Sequence, residues 1–336
     1  MQIDEKYMAR ALELAALGCG HVSPNPMVGA VVVDHNGRII GEGYHRQYGA
    51  AHAEVNAIAS VRDKSALRES TIYVTLEPCS HYGKTPPCAK LIIDSEIPRV
   101  VVGASDPFKE VAGRGVKMLR DAGIEVVEDV MDSECRRLNA RFMTAHEQQR
   151  PFVTLKWAQS SDGFMDSDRP DGQPARFSTS LSSMLVHRLR SLHDTIAIGS
   201  GTAIADNPRL DCRTWQGRSP QPVIFDRRRR INPSLLHAQR KPIILSDYDS
   251  IAEALSQLYS MGYTSLLVEG GALLLNAFLD SGIWDVAHIE TSPIVLQGHG
   301  RTKSPILPSE PATTFDVGTN IINIYSRNHL FSVKNL

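Results

Sequence analysis

Apolar and polar positions recur with two different periods along this chain, and the switches between them mark its elements. Over residues 4–17, Met8, Ala11, Leu12, Ala15 and Ala16 return at three- and four-residue spacing, which predicts an amphipathic helix. Val28–Val33 and Arg38–Gly43 are apolar runs on either side of Asp34-His35-Asn36-Gly37, and Asn-Gly between such runs predicts a hairpin. A helix over 52–61, a strand over 71–76, a helix over 88–94 and a short buried strand over 100–103 come next. Residues 115–122 form a helical pattern that stops at Gly123, followed by a strand over 124–127 and one helix over 132–146. Strands alternating with helices predict an α/β sandwich with a partly parallel sheet, closing near residue 146.

Glu147-Gln148-Gln149-Arg150-Pro151 is polar, ends in proline and reads as a linker. Beyond it the pattern predicts a strand over 152–158, a loop rich in Asp, Pro and Gly over 162–174, and a helix over 181–192. A strand over 195–199, a loop from Thr202 to Arg213 and a strand over 222–226 follow. A buried strand over 265–269 leads through Gly270-Gly271 into a helix over 272–279. No solenoid-type repeat is present. The expectation is two different α/β domains, 1–147 and 151–336, which suits 336 residues at about 150 per domain.

Charge and cysteine usage narrow the function classes. Thirty-six basic residues against thirty-seven acidic ones exclude a dominantly electrostatic binder of nucleic acid or anionic membrane. No run of about 18 apolar residues exists to span a bilayer. Asp4 and Glu5 stand where an export signal would be positive, and no apolar core of a signal follows. Five cysteines are an odd number spread thinly, so a reducing cytoplasm is expected, with the thiols as packing residues or metal ligands.

His52-Ala53-Glu54, followed by Pro78-Cys79 and Cys88, is the strongest chemical signal. One imidazole and two thiolates make a three-ligand zinc site with the fourth tetrahedral position left to water, whose pKa falls to about 7 on the metal. Glu54, two residues from His52, can reach that water without binding the metal and shuttle protons. H-x-E…P-C…C is the zinc nucleobase-deaminase pattern, in which hydroxide attacks an amidine carbon and ammonia leaves. Cys19, Cys135 and Cys212 lack ligand-like neighbours and read as packing residues.

Nucleoside and transfer-RNA deaminases generally carry two residues between the thiolates; here eight intervene between Cys79 and Cys88. That loop, with Asn25-Pro26-Met27-Val28-Gly29-Ala30 and His45…Gly49…His52-Ala53-Glu54, resembles the bacterial riboflavin-biosynthesis pyrimidine deaminases. The resemblance implies a cytidine-deaminase-like αβα sandwich acting on 2,5-diamino-6-(5-phosphoribosylamino)pyrimidin-4(3H)-one, which loses its 2-amino group. It also implies that His81 and Lys84 lie over ring and phosphate and that Asn25 and His45 line the pocket. Independently, Lys84 is a point charge suited to phosphate, and Asn25 offers donor and acceptor to a heterocycle edge. Phe108 departs from the family, which commonly has Asn there.

In the second half no G-x-G-x-x-G follows the first strand. Val268-Glu269-Gly270-Gly271 at a strand end lets backbone N–H groups approach a diphosphate at a helix N-terminus. With Lys156, Asp162-Gly163, Gly199-x-Gly201-Thr202 and Ala205-Asp206-Asn207-Pro208-x-Leu210-x-x-Arg213, the set resembles the riboflavin-specific reductases. That family implies a dihydrofolate-reductase-like α/β domain and NADPH as cofactor. Gln159, Thr202, Asp206 and the stretch from Gly271 would meet the cofactor; Lys156, Leu210, Arg213 and Glu269 would meet the substrate. The implied reaction is hydride transfer to ribose C1′ of 5-amino-6-(5-phosphoribosylamino)uracil, giving the ribityl product. Arg176-Phe177-Ser178-Thr179 and Ser183 depart from the family pattern, Ser183 occupying a position that usually holds Arg. Arg227–Arg230 reads as an exposed basic turn.

The expectation is therefore a cytoplasmic, homo-oligomeric (dimeric or tetrameric) bifunctional enzyme of zinc and NADPH. Its partners are small phosphoribosyl-pyrimidines, with no nucleic acid and no membrane. One alternative is a nucleic-acid or nucleoside deaminase carrying a C-terminal binding module. Another is a structural zinc closed by His81 as fourth ligand.

Overall fold

Helix α1 (Ile3–Ala16) lies across strand β1 (Gly29–Val33) so closely that a Cβ on Gly29 would come within 1.9 Å of the Ala11 carbonyl oxygen. Only glycine fits there. On the opposite face, helix α2 (Ala53–Ser60) approaches strand β2 (Ile39–Tyr44) equally tightly: a Cβ on Gly43 would lie 2.3 Å from the Ala57 nitrogen. The computed structural model describes residues 3–81, 86–108, 112–169, 173–238 and 240–327, and the chain divides after Glu147 into two compact units.

The first unit adds β3 (Thr71–Leu76), α3 (Cys88–Asp94), β4 (Arg99–Ala104), α4 (Arg114–Asp121), β5 (Glu125–Val127), α5 (Asp132–Leu138) and α6 (Ala140–Gln148). Its sheet runs β2-β1-β3-β4-β5, antiparallel across β1 and parallel from β3 to β5. Side chains alternate along the strands. Val32, Ile72, Val74, Val100 and Val102 meet α2, α3 and α4, whereas Val31, Val33, Tyr73 and Val101 meet α1, Cys135 and Met143. This is an αβα sandwich with a core on each face, where each fully buried Val or Ile contributes roughly 1.5–3 kcal/mol.

Two local expectations differ here from the molecule, and one further element has no counterpart among them. The buried stripe of α1 is Tyr7, Met8, Ala11, Leu14 and Ala15, while Ala16 is exposed, because the contact with Gly29 rotates the helix. The single helix expected over 132–146 breaks at Asn139. That side chain accepts from the Met27 N–H and donates to the Met27 carbonyl, both at 2.8 Å. A buried amide that satisfies two backbone groups at once outweighs one more turn of helix. A 3₁₀ turn (Lys64–Glu69), capped by Asp63, precedes β3 without an apolar period to announce it.

The second unit is built on an eight-stranded sheet comprising β6 (Phe152–Gln159), β8 (Thr195–Gly199), β9 (Gln221–Phe225), β10 (Ile243–Leu245), β11 (Ser265–Val268), β12 (Val286–Thr291), β14 (Thr313–Val317) and β15 (Asn320–Ser326). Their order is β10-β9-β8-β11-β6-β12-β15-β14, parallel from β10 to β12 and antiparallel beyond. Helices α7 (Ser180–Ser191), α8 (Ser200–Asp206), α9 (Ile251–Ser260) and α10 (Ala272–Ser281) cover it. Leu255, Leu258, Leu275 and Phe278 fill one face; Leu189, Ala203 and Leu210 fill part of the other. Arg150 grips Asp285 with two hydrogen bonds (2.7 and 2.8 Å), and Asp285 also accepts the Val153 N–H, tying β6 to β12 at their starts. Strand β7 (Phe164–Ser167) pairs with β13 (Gly300–Lys303) inside the segment expected to be a loop, because its partner lies over 130 residues on. The loop expected from Thr202 likewise begins as α8. Among the described residues, no helix is long and apolar enough to cross a membrane.

Candidate active sites

The chemistry of the first unit collects where β3 ends and two helices begin. His52 is the N-cap of α2, Glu54 sits in that helix's first turn, Cys79 follows β3, and Cys88 opens α3. His52 Nδ1 stands 3.7 Å from Cys79 Sγ and 3.4 Å from Cys88 Sγ, and the Cys88 N–H points at Cys79 Sγ from 3.3 Å. Among the described residues these three form the one cluster able to hold a metal, and His81 is not part of it. Separations near 3.5 Å are the edges of a tetrahedron with Zn–N and Zn–S bonds of about 2.0 and 2.3 Å, so the ligand set fits zinc with a vacant corner.

Electrostatics prepare the thiols. Cys79 is pulled down to about 4, chiefly by the Cys88 thiol's hydrogen bond with help from His52, while donation to Cys79 and burial push Cys88 up. A cation held by this cluster would draw the thiol protons off. Glu54 is 3 % exposed, and burial pushes its carboxyl up.

A cavity of about 430 Å³ opens over this cluster, lined by Asn25, His45, His52, Glu54, Cys79 and His81, with Phe108, Phe142 and His146 as an aromatic wall. His45 Nδ1 faces the Ala51 carbonyl at 3.1 Å and must donate to it, which leaves Nε2 to accept from Asn25 Nδ2 at 3.3 Å. Burial holds His45 below the usual imidazole range, so the ring stays neutral. Asn25 and His45 thus enter the pocket as one hydrogen-bonded pair. Lys84 lies outside the described residues.

Two supports escaped the sequence reading. Asn139 fixes Met27 beside Asn25, as above. Glu77, 6 % exposed, accepts from the backbone N–H groups of Asp106, Gly113, Gly115 and Val116, closing the start of α4 against the cavity. Glu77→Ala should therefore cost about 3 kcal/mol, from several buried N–H groups losing their acceptor. A fall in the urea midpoint would register it; an unchanged midpoint would show that water replaces the carboxyl.

In the second unit a cavity of about 730 Å³ lies at the carboxyl ends of β6, β8 and β11. Strand β11 is inserted between β8 and β6, so the strand order reverses there, the place where open α/β sheets bind ligands. Lys156, Thr202, Asp206, Arg213, Glu269 and Gly271 all line it. Two others do not: Leu210 is buried in the core with Leu189 and Ile196, and Gln159 bonds to Trp157 and Thr291. The Gly271 N–H is already donated to Thr202 Oγ1 at 3.1 Å, and a Cβ on Gly271 would crowd that oxygen at 3.0 Å. Gly271 opens α10 with no side-chain cap, leaving the remaining helix-terminal donors to the cavity.

Charge pairs organise this pocket. Arg190 Nε and Nη2 hold both oxygens of Glu269 at 2.8 and 2.7 Å, and Nη1 reaches the Asp211 carbonyl. Burial alone would raise Glu269, but the charge and hydrogen bonds of Arg190 bring it below the ordinary carboxyl value. Arg169 bridges Asp166 and Asp206, and Arg213 pairs with Asp211 at 2.7 Å. In the basic turn, Arg227 lies over Tyr248, Arg229 pairs with Asp247, and Arg230 donates to Ser200.

Comparison with known proteins agrees with this division. Residues 1–104 match the family described as the cytidine and deoxycytidylate deaminase zinc-binding region, and residues 151–314 match the RibD C-terminal domain. The riboflavin biosynthesis protein RibD of Bacillus amyloliquefaciens is 38% identical over 325 residues, spanning 88% of this chain and 86% of its own. A solved structure of Acinetobacter baumannii RibD superposes with a TM-score of 0.86 at 30% identity, over 96% of this chain and 98% of that one. A Thermotoga maritima protein described as a diaminohydroxyphosphoribosylaminopyrimidine deaminase/5-amino-6-(5-phosphoribosylamino)uracil reductase gives 0.83 at 36% identity, with the same coverage. The second half is thus a RibD domain, which removes the alternative of a separate binding module.

Proposed function

The chain belongs to the RibD family of bifunctional riboflavin-biosynthesis deaminase/reductases, and from that premise we propose how its residues divide two consecutive reactions on one phosphorylated pyrimidine. The observation that carries the proposal is the pairing of a His-Cys-Cys cluster beside a buried glutamate with a separate cavity at a strand-order reversal.

In the first unit the substrate is 2,5-diamino-6-(5-phosphoribosylamino)pyrimidin-4(3H)-one, whose 2-amino group is exchanged for oxygen. His52, Cys79 and Cys88 would hold zinc, which when bound supplies the Lewis acidity that makes water nucleophilic near neutral pH. Glu54 takes one proton from the incoming water and passes it to the ring nitrogen, then carries the second, from the newly added hydroxyl, to the amino group, which leaves as ammonia while the carbonyl forms. The Asn25–His45 pair reads the polar ring edge, while Phe108 and Phe142 offer apolar surface to its face. His81 and Lys84 answer the remaining polar groups and the phosphate.

In the second unit the deaminated product, 5-amino-6-(5-phosphoribosylamino)uracil, meets Lys156, Arg213 and Glu269. NADPH would lie along Thr202, Asp206 and the start of α10, and when bound it supplies the hydride delivered to ribose C1′. The uncapped helix start and the crowding that any Cβ on Gly271 would bring at Thr202 fit a diphosphate. Arg213, more than half exposed, is a bidentate fork suited to the substrate phosphate. Five free cysteines favour a reducing cytoplasm as the setting.

The full chain, given the diamino substrate, should release ammonia without nicotinamide and add two hydrogens only when NADPH is supplied. Mass analysis of the pyrimidine under both conditions distinguishes the steps. Reduction before ammonia loss, or no consumption of NADPH with the deaminated product, would contradict the assignment.

A further inference from the structure

Two acidic groups face Lys156 in the second unit, and only Glu269 belongs to a motif picked out from the sequence. The other is Glu290, on β12. Parallel pairing sets Lys156 opposite His288 and Ala158 opposite Glu290, so the side chains at 156, 288 and 290 share one face of the sheet. Glu290 is 2 % exposed, and one of its oxygens lies 3.9 Å from Lys156 Nζ.

Both carboxyl oxygens of Glu290 are engaged. Ser178 Oγ donates to Oε2 at 2.6 Å, and Asn320 Nδ2 donates to Oε1 at 2.6 Å. Asn320, itself buried, also donates to the Phe177 carbonyl at 2.9 Å. Phe177, Ser178 and Thr179 form part of the 730 Å³ cavity wall, and Thr179 continues into the capping box of α7 with Ser182. One buried carboxyl thus meets two parts of the pocket, the cation on β6 and the wall before α7, and reaches β15 behind them through Asn320. A carboxyl so enclosed has no solvent to orient it, and its donors hold it in one rotamer.

We propose that Glu290 is a positioning residue for reduction: it aims the Lys156 ammonium into the cavity and locks the 177–179 wall at matching height. The inference rests on the reductase reading above and adds the residue that sets where its lysine stands. The pairing is looser than a direct hydrogen bond, leaving the Lys156 donors for a substrate oxygen.

The test is a double-mutant cycle in the full-length enzyme, with NADPH and the deaminated pyrimidine. Glu290→Gln should leave deamination unchanged and lower kcat/KM for reduction about tenfold, mainly through KM for the pyrimidine and not for NADPH. Glu290→Asp, which keeps the charge, should recover part of the loss. If Glu290 acts through Lys156, Lys156→Met/Glu290→Gln should be no slower than Lys156→Met alone. Multiplying penalties, or wild-type reduction by Glu290→Gln, would overturn the proposal. Should Glu290→Gln be insoluble, Ser178→Ala, which removes one orienting donor, runs through the same cycle with the same criteria. Failure of the wild type to reduce the pyrimidine would instead sink the underlying assignment.

Discussion

Glu54→Gln is expected to lower the rate of ammonia release about 10³-fold while zinc content and fold stay as in the wild type. A positioned acid–base group contributes roughly 10²–10⁴-fold, and an amide of the same shape can neither accept nor return the proton. The site gives the effect its full size. Glu54 is 3 % exposed in the first turn of α2, so bulk water reaches it poorly. His52, Cys79 and Cys88 are untouched, so metal analysis should show one equivalent of zinc. The second unit should still reduce the deaminated pyrimidine at the normal rate. Normal turnover by Glu54→Gln would remove this residue from the reaction; loss of zinc would make it a structural support of the cluster instead.

Arg190→Met should be the most damaging single change in the second unit. It strips a two-point partner from Glu269, whose side chain is 11 % exposed, and leaves a buried carboxylate at the cavity wall without its guanidinium. Removing one member of such a pair costs about 3–5 kcal/mol, which for a unit of this size lowers its Tm by about 10 °C. The sign of the pH dependence follows from Glu269, whose folded pKa lies below its unfolded value because Arg190 outweighs burial. The pair's contribution is complete above the ordinary carboxyl pKa of about 4.3 and fades as pH falls through the depressed folded value. The gap between wild type and variant should therefore narrow in acid. Arg190→Met/Glu269→Leu should regain much of the stability but none of the reduction. Calorimetry across pH reads both, and equal melting of wild type and Arg190→Met would show the pair to be energetically neutral.

Elements whose stabilisation is local were legible in the chain. Strand β3 and helix α3 occupy the residues their apolar patterns and turn signals indicate, and the His52, Cys79 and Cys88 spacing converges as the motif requires. What escaped depends on distant partners. Strand β7 has no apolar alternation of its own and exists through β13. The break at Asn139 answers to Met27, and the acceptor role of Glu77 answers to a loop some thirty residues later. Glu269 stood in a recognisable motif, yet its union with Arg190 across 79 positions has no periodic signature. Leu210 sits in a pocket motif while its side chain completes the core beneath.

The Asn139–Met27 clasp also orders events during synthesis. By the time Cys88 has been added, all three members of the His-Cys-Cys cluster are on the growing chain. The segment carrying Asn25 gains its anchor only when a residue 112 positions beyond Met27 has emerged. A nascent first unit therefore carries all three metal ligands well before it carries the residue that anchors its pyrimidine pocket.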